Sequence, residues 1–189
     1  MISSALARFL PARHGHFRFE SGHHGQLWLD LDVLFISPAR LRPVVDDLTR
    51  RLARHAVTAV CGPLTGGAFV AQQAALGLDG LFTAAERHLD GDQVAYRVPD
   101  AVHAHLAGQR VAVVDDVLNA GSAVDKTVAD LRRCEVEVVV VGGLLALGSG
   151  AQAMAARRGV PLEAVETWPH ELWPPEQCPL CARGEPLTG

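Results

Sequence analysis

The segment Val111-Ala112-Val113-Val114-Asp115-Asp116-Val117-Leu118-Asn119-Ala120-Gly121-Ser122 constrains this chain more than any other. An uncharged, mostly β-branched run suits a strand of a parallel sheet that is covered on both faces. In open α/β sheets the ligand crevice lies beyond the carboxyl ends of such strands, which puts Asp115 and Asp116 at its edge. Asn119, Ala120, Gly121 and Ser122 then form a turn of small residues, and Gly121 permits a sharp bend and close approach of backbone to a ligand. The helix that starts there offers unpaired amides and the positive end of its dipole, a natural seat for phosphate. Carboxylates for sugar hydroxyls beside amides for a phosphate match a ribose 5-phosphate. The chain has no G-x-x-x-x-G-K-[ST] loop and no G-x-G-x-x-G after a strand, so the two commonest alternative phosphate motifs are excluded.

Strand and helix patterns alternate along the rest of the chain, as in a single α/β domain. Ser37-Pro38 has the form of an N-cap with proline at the first helical position. The helix it opens runs to about His55, with Leu41, Val44, Val45, Leu48 and Leu52 on one face. Short strands are expected at 57–61 and 81–84, with a glycine-rich turn at 61–67 and a small-residue helix at 68–76 between them. The polar stretch 86–108 contains 93–98, which alternates like a hairpin strand. A helix at 122–133 follows the central motif, with Ser122 and Asp125 at capping-box spacing. A strand at 135–147, a helix at 151–158 and a strand at 162–165 complete the pattern before a tail rich in Trp and Pro. Trp168 and Trp173 are expected to pin that tail to the body.

With 189 residues, 49% of them hydrophobic and 20% charged, the chain has the material for one real core. A net charge of −4 argues against a nucleic-acid partner. The absence of an apolar run of about 18 residues, or of a basic segment leading into an apolar one, predicts a cytoplasmic protein with no membrane association. Lys126 is the single lysine against sixteen arginines, and four cysteines do not make a disulfide framework.

The central segment resembles the phosphoribosyl diphosphate (PRPP) binding motif of the type I phosphoribosyltransferases. The likeness extends to orotate phosphoribosyltransferases at three further places: 16–25, which is similar to their F-x-L-x-S-G segment; 61–67, which is similar to their pyrophosphate loop; and 178–187, which resembles the C-P-L-C-x-x-G-x-P-L ending of one subgroup. The resemblance implies a single domain over 1–189 with a central, mostly parallel sheet flanked by helices and a small hood from about 1–35 and 162–189. It implies transfer of 5-phosphoribosyl from PRPP, with Mg²⁺, to a nucleobase with release of pyrophosphate. The residues it designates for catalysis are Asp115, Asp116 and Arg87. PRPP would be held by Asp115, Asp116, Asn119, Ala120, Gly121 and Ser122 together with Leu64, Thr65, Gly66 and Gly67, and the base by Phe19, Ser21 and Leu147. No direct protein ligand to Mg²⁺ is expected, because this ion usually binds through phosphates and waters. A homodimer is implied as well. Its mobile segment, Arg87 to Ala107, would close over the neighbouring site, having too little apolar content to pack permanently.

Two departures from the family pattern bear on the reaction. Ala85-Glu86-Arg87-His88 stands where orotate enzymes place lysine, and a planar guanidinium is not equivalent to a compact ammonium. The only other cations in this stretch are His88, Arg97, His103 and His105. Ala146-Leu147 replaces the Asp-Arg pair whose arginine recognises the orotate carboxylate, so orotate is expected to be a poor substrate. A PRPP sensor without catalysis remains the alternative. Cys178-x-x-Cys181 has metal-ligand spacing, but zinc needs four ligands and no second such pair exists. A reduced thiol pair is therefore set against a zinc site with His170 as a candidate third ligand.

Overall fold

The computed structural model describes residues 6–8, 10–91 and 93–188, so Met1 to Ala5 of the expected hood and Gly189 lie outside the described residues. A six-stranded sheet forms the centre. Its strands are β3 (Ala59–Pro63), β4 (Leu81–Asp90), β5 (Gln93–Arg97), β6 (Arg110–Leu118), β7 (Glu137–Leu147) and β8 (Leu162–Trp168), in the spatial order β5-β4-β3-β6-β7-β8. All neighbours run parallel except the β4–β5 hairpin at one edge. A separate antiparallel pair, β1 (Ala12–Arg18) and β2 (His24–Leu29), stands beside it.

Both faces of the sheet are covered, which explains the uncharged strand sequences. On one face Val60, Ala112, Val114, Val140 and Leu144 pack against α2 (Pro38–Ala53) and α3 (Gly66–Leu78). On the other, Ala59, Cys61, Val111, Val113 and Val141 pack against α5 (Ser122–Arg133) and α6 (Gly150–Arg158). The helix expected after Ser37 forms with Pro38 at its start, and its five expected core residues are all buried. The short helix α1 (Asp32–Phe35) precedes it.

Three expectations differ from the structure. β8 pairs with β7 over 162–168 and belongs to the central sheet, so the hood is the β1–β2 hairpin plus the chain beyond Trp168. Ser122 is not a cap: Gly121, at φ +75°, is the N-cap, and Asp125 instead forms a bidentate ion pair with Arg158. The described residues of 87–107, all but Asp92, are structured, because Tyr96, Val98 and Leu106 enter the second core and α4 (Asp100–Leu106) forms among them. The amide of Val98 also donates to Asp130 Oδ2 at 2.8 Å.

The strand order determines where a ligand can sit. From β3 the chain crosses to β4 on one side, and after the β4–β5 hairpin and α4 it returns to β6 on the other. The direction of winding thus reverses between β3 and β6, and the crevice beyond their carboxyl ends is the switch point at which open α/β sheets bind ligands.

Candidate active site at the switch point

Two segments flank that crevice. The C-terminal part of β6 carries Asp115 and Asp116; the turn from β3 into α3 carries Leu64, Thr65, Gly66 and Gly67, with a cis peptide between Leu64 and Thr65. They meet in direct contact. A Cβ built on Gly66 would lie 2.1 Å from Asp116 Oδ2, one on Gly67 would lie 2.7 Å from Asp115 Oδ1, and one on Gly62 would collide with the Gly67 carbonyl. Glycine is therefore required at these positions by the neighbouring carboxylates and backbone.

The carboxylates themselves are held by the backbone. The amide of Asp116 donates to Asp115 Oδ1 (3.0 Å) and that of Val117 to Asp116 Oδ1 (2.7 Å). Burial raises both pKa values, Asp115 well above the ordinary carboxylate range, and the negative charge of Asp116 raises Asp115 further. Among the described residues no Arg, Lys or His forms an ion pair with either acid. Such a pair is suited to receive hydroxyl donors or a cation brought by a ligand.

Two adjoining cavities, of 270 and 290 Å³, share Asp115, Asp116, Tyr96, Leu31 and Ala123 in their walls. The first is lined by Leu64, Thr65 and Gly66, the second by Asn119, Ala120, Gly121 and Ser122 with Phe19 and Ser21. Every residue expected to hold PRPP except Gly67, which lies behind Gly66 against Asp115, faces one or both. Arg87 is at the rim, half-exposed, opposite Tyr96 in the β4–β5 register and 3.4 Å from Glu20 Oε2 through its Nε. Leu147 lies apart from the acids, in a 160 Å³ cavity with Phe19, Trp28, Leu29 and Val117. The Phe19 and Trp28 rings stack there at 6.0 Å, and the Asn119 Oδ1 atom in its wall is buried without a hydrogen-bond partner.

Sequence reasoning missed several wall residues. Tyr96, the one tyrosine of the chain, is buried between the two acid-lined cavities, where burial and the charges of Glu20 and Asp115 push its hydroxyl pKa up to about 12. Asp32 and Phe35 come from α1. A further cavity of 540 Å³ shares Leu147 in its wall and carries Arg157 and His170. The unique tyrosine was the one available signal; the others depend on how the hood folds over the sheet.

The phosphoribosyl transferase domain model matches residues 40–175 of the chain. The chain belongs to the phosphoribosyltransferase family. It is 31% identical to the orotate phosphoribosyltransferase of Desulforamulus reducens over 92% of its own length and 86% of that protein's. The orotate phosphoribosyltransferase of Thermotoga maritima is 30% identical, with 98% and 95% covered. Among solved structures, the orotate phosphoribosyltransferase of Aeropyrum pernix superposes with a TM-score of 0.67 at 26% identity, over 88% of this chain and 93% of that one. The adenine phosphoribosyltransferase of Trypanosoma brucei, at 18% identity and a TM-score of 0.65 over 85% and 76%, shows the fold alone. The superposition on the Aeropyrum pernix protein thus agrees with the mostly parallel, helix-flanked sheet described above. No helix among the described residues is long and apolar enough to cross a membrane.

Proposed function

We propose that this orotate-type phosphoribosyltransferase transfers 5-phosphoribosyl from PRPP to a nucleobase that carries no carboxylate. One observation carries the reading: an uncompensated Asp115–Asp116 pair, Asp116 buried and Asp115 partly so, faces the glycine loop, while the position nearest the base side is the apolar Leu147. Asp115 and Asp116 accept from the ribose 2- and 3-hydroxyls and favour positive charge on the ring as the bond to pyrophosphate breaks. Amides of Leu64 to Gly67 cradle the pyrophosphate, and those of Asn119 to Ser122 the 5-phosphate at the start of α5. The donor set fits Mg²⁺ brought with PRPP, since two desolvated carboxylates lack any cationic side chain; when bound, the ion neutralises charge on the leaving group. Arg87 adds positive charge at the rim once Glu20 releases it. Phe19 and Leu147 offer the base apolar contact, and Ser21 a hydroxyl.

A homodimer is supported by the exposed apolar side chains Phe69 and Leu76 on α3 and Leu81 and Phe82 at the start of β4. The deciding experiment is pyrophosphate release with PRPP and Mg²⁺ across neutral pyrimidines, purines and orotate. Turnover with a neutral base supports the proposal. Efficient turnover of orotate would instead turn attention to Arg157 as the carboxylate partner, and tight PRPP binding with no turnover on any base would leave the sensor reading.

A further inference from the structure

Outside the switch point, one cluster of side chains has the chemistry of a metal centre. His16 on β1, His24 on β2, and Cys178 and Cys181 of the tail bring one donor atom each to within 4.8 Å of one another. Cys178 Sγ lies 3.5 Å and Cys181 Sγ 3.6 Å from His16 Nε2; Cys181 Sγ lies 3.3 Å from His24 Nδ1; and the two ring nitrogens are 2.9 Å apart. A tetrahedral zinc with bonds of about 2.3 Å to sulfur and about 2.05 Å to nitrogen has S···N edges of about 3.6 Å and an N···N edge of about 3.4 Å. The three sulfur–nitrogen distances lie within about 0.3 Å of that edge, and the imidazoles need to open by only about 0.5 Å to match theirs.

The surroundings suit a closed, structural site. His16, His24 and Cys178 are buried, at 2%, 6% and 2% exposure, and only Cys181 reaches solvent. Neither cysteine is in a disulfide. His16 donates its Nδ1–H to the Glu185 carbonyl at 2.7 Å, which fixes the tautomer and leaves the Nε2 lone pair directed at the cluster, as metal-bound histidines commonly arrange. The Cys-Pro-Leu-Cys segment is a tight turn in which the amides of Ala182 and Gly184 bond back to the Cys178 and Cys181 carbonyls. It thereby presents both sulfurs on one side. Two thiolates with two imidazoles select zinc over magnesium or calcium.

We propose that His16, His24, Cys178 and Cys181 bind one structural zinc ion that fastens the β1–β2 hairpin to the C-terminal tail. A two-stranded hairpin is marginal by itself. This one joins the tail through the His24–Trp173 bridge and through the Thr188 amide, which donates to the His16 carbonyl at 2.6 Å. Four protein ligands leave no open position for substrate, and none of the four lines either acid cavity. His170, the third ligand considered from the sequence, stands outside the cluster, with its Nε2 buried and unpartnered near Gly25.

The test uses the full chain purified without chelators. Elemental analysis should find one zinc per chain, lost in Cys178→Ser and Cys181→Ser but kept in Cys134→Ser, whose thiol lies outside the cluster. Adding Co²⁺ to reduced, zinc-stripped wild-type protein should give the intense visible bands of a tetrahedral ion and a near-ultraviolet thiolate charge-transfer band. That titration decides the matter even if the serine variants fail to fold. Zinc well below stoichiometric together with no cobalt spectrum overturns the proposal. Zinc retained when both cysteines are replaced, or a Cys178–Cys181 disulfide in protein isolated with its thiols blocked, overturns it equally.

Discussion

The region around Asp115 and Asp116, proposed for the sugar phosphate, and the region around Leu147, proposed for the base, are built differently. Around Asp115 and Asp116 the parts interlock: glycines at 66 and 67 pack against the carboxylates, the carboxylates are fixed by their own backbone, and the strand ends and glycine turn of one sheet form the floor beneath walls that include α1 and Phe19. Around Leu147 the walls are mostly apolar side chains of the hood hairpin with Val117 of β6, and Ala146-Leu147 stands where the resemblance to orotate enzymes implies an Asp-Arg pair. The difference teaches that, on the proposed reading, sugar-phosphate chemistry rests on the interlocked sheet. Base selectivity then rests on an apolar layer added to it.

Replacing the acids should break the first half most severely. Asp115→Asn with Asp116→Asn is expected to weaken PRPP binding in the presence of Mg²⁺ by at least about 100-fold, since each charged hydrogen bond contributes about 1.5–3 kcal/mol. Isothermal titration calorimetry measures it, and unchanged affinity would remove the acids from the ribose site. On the base side, the missing guanidinium should cost orotate about 2–5 kcal/mol relative to a neutral base. Steady-state kinetics with orotate at or above about 10⁴ M⁻¹s⁻¹ would erase the contrast between the halves.

The interlocking itself is tested by Gly66→Ala. Its Cβ has no room beside Asp116, and overpacking of this kind costs about 1–3 kcal/mol, or a melting temperature lower by roughly 2–10 °C. Leu147→Met, in the apolar half, should cost less than about 1.5 kcal/mol. Equal losses would mean that both halves are equally rigid.

A smaller effect concerns pH. Asp115 and Asp116 hold their protons more tightly in the fold than in the unfolded chain, so the native state binds more protons. Their contribution is full below the unfolded carboxylate pKa and is lost as pH rises through the raised folded values. The ligand-free protein should therefore gain a few degrees of melting temperature at neutral pH on Asp115→Asn, the same change that harms PRPP binding. PRPP with Mg²⁺ should in turn release protons, measurable from the buffer dependence of the binding enthalpy. The smallest expected change is in amide exchange of 87–107 on PRPP binding, because Tyr96, Val98 and Leu106 already anchor that segment. Exchange indifferent to ligand would rule out closure of this segment, and a monomer by light scattering would rule out the homodimer.

Local patterns made the sheet side readable. The run 111–114 and the face of α2 rest on periodicity within one element, and Gly121 on a turn that needs positive φ. What depended on distant partners was not readable. Asp125 has capping spacing in sequence, but Arg158 takes it from a second helix. The stretch 86–108 looks polar, yet three apolar residues at irregular spacing suffice to dock it once α5 supplies a surface. The tail cysteines pointed to two missing ligands, and these lie more than 150 residues away, on a hairpin whose histidines carry no spacing motif with them.

The hood also imposes an order on folding. A bond between residues 172 positions apart, His16 to Thr188, closes its two pieces, and such contacts form late because nearly the whole chain must be in place first. During synthesis the sheet, with its acid pair and glycine loop, has all of its residues before the last twenty exist. A nascent chain would therefore hold every residue that lines the acid cavities and the Leu147 cavity while the hairpin over them still waits for the tail that fastens it.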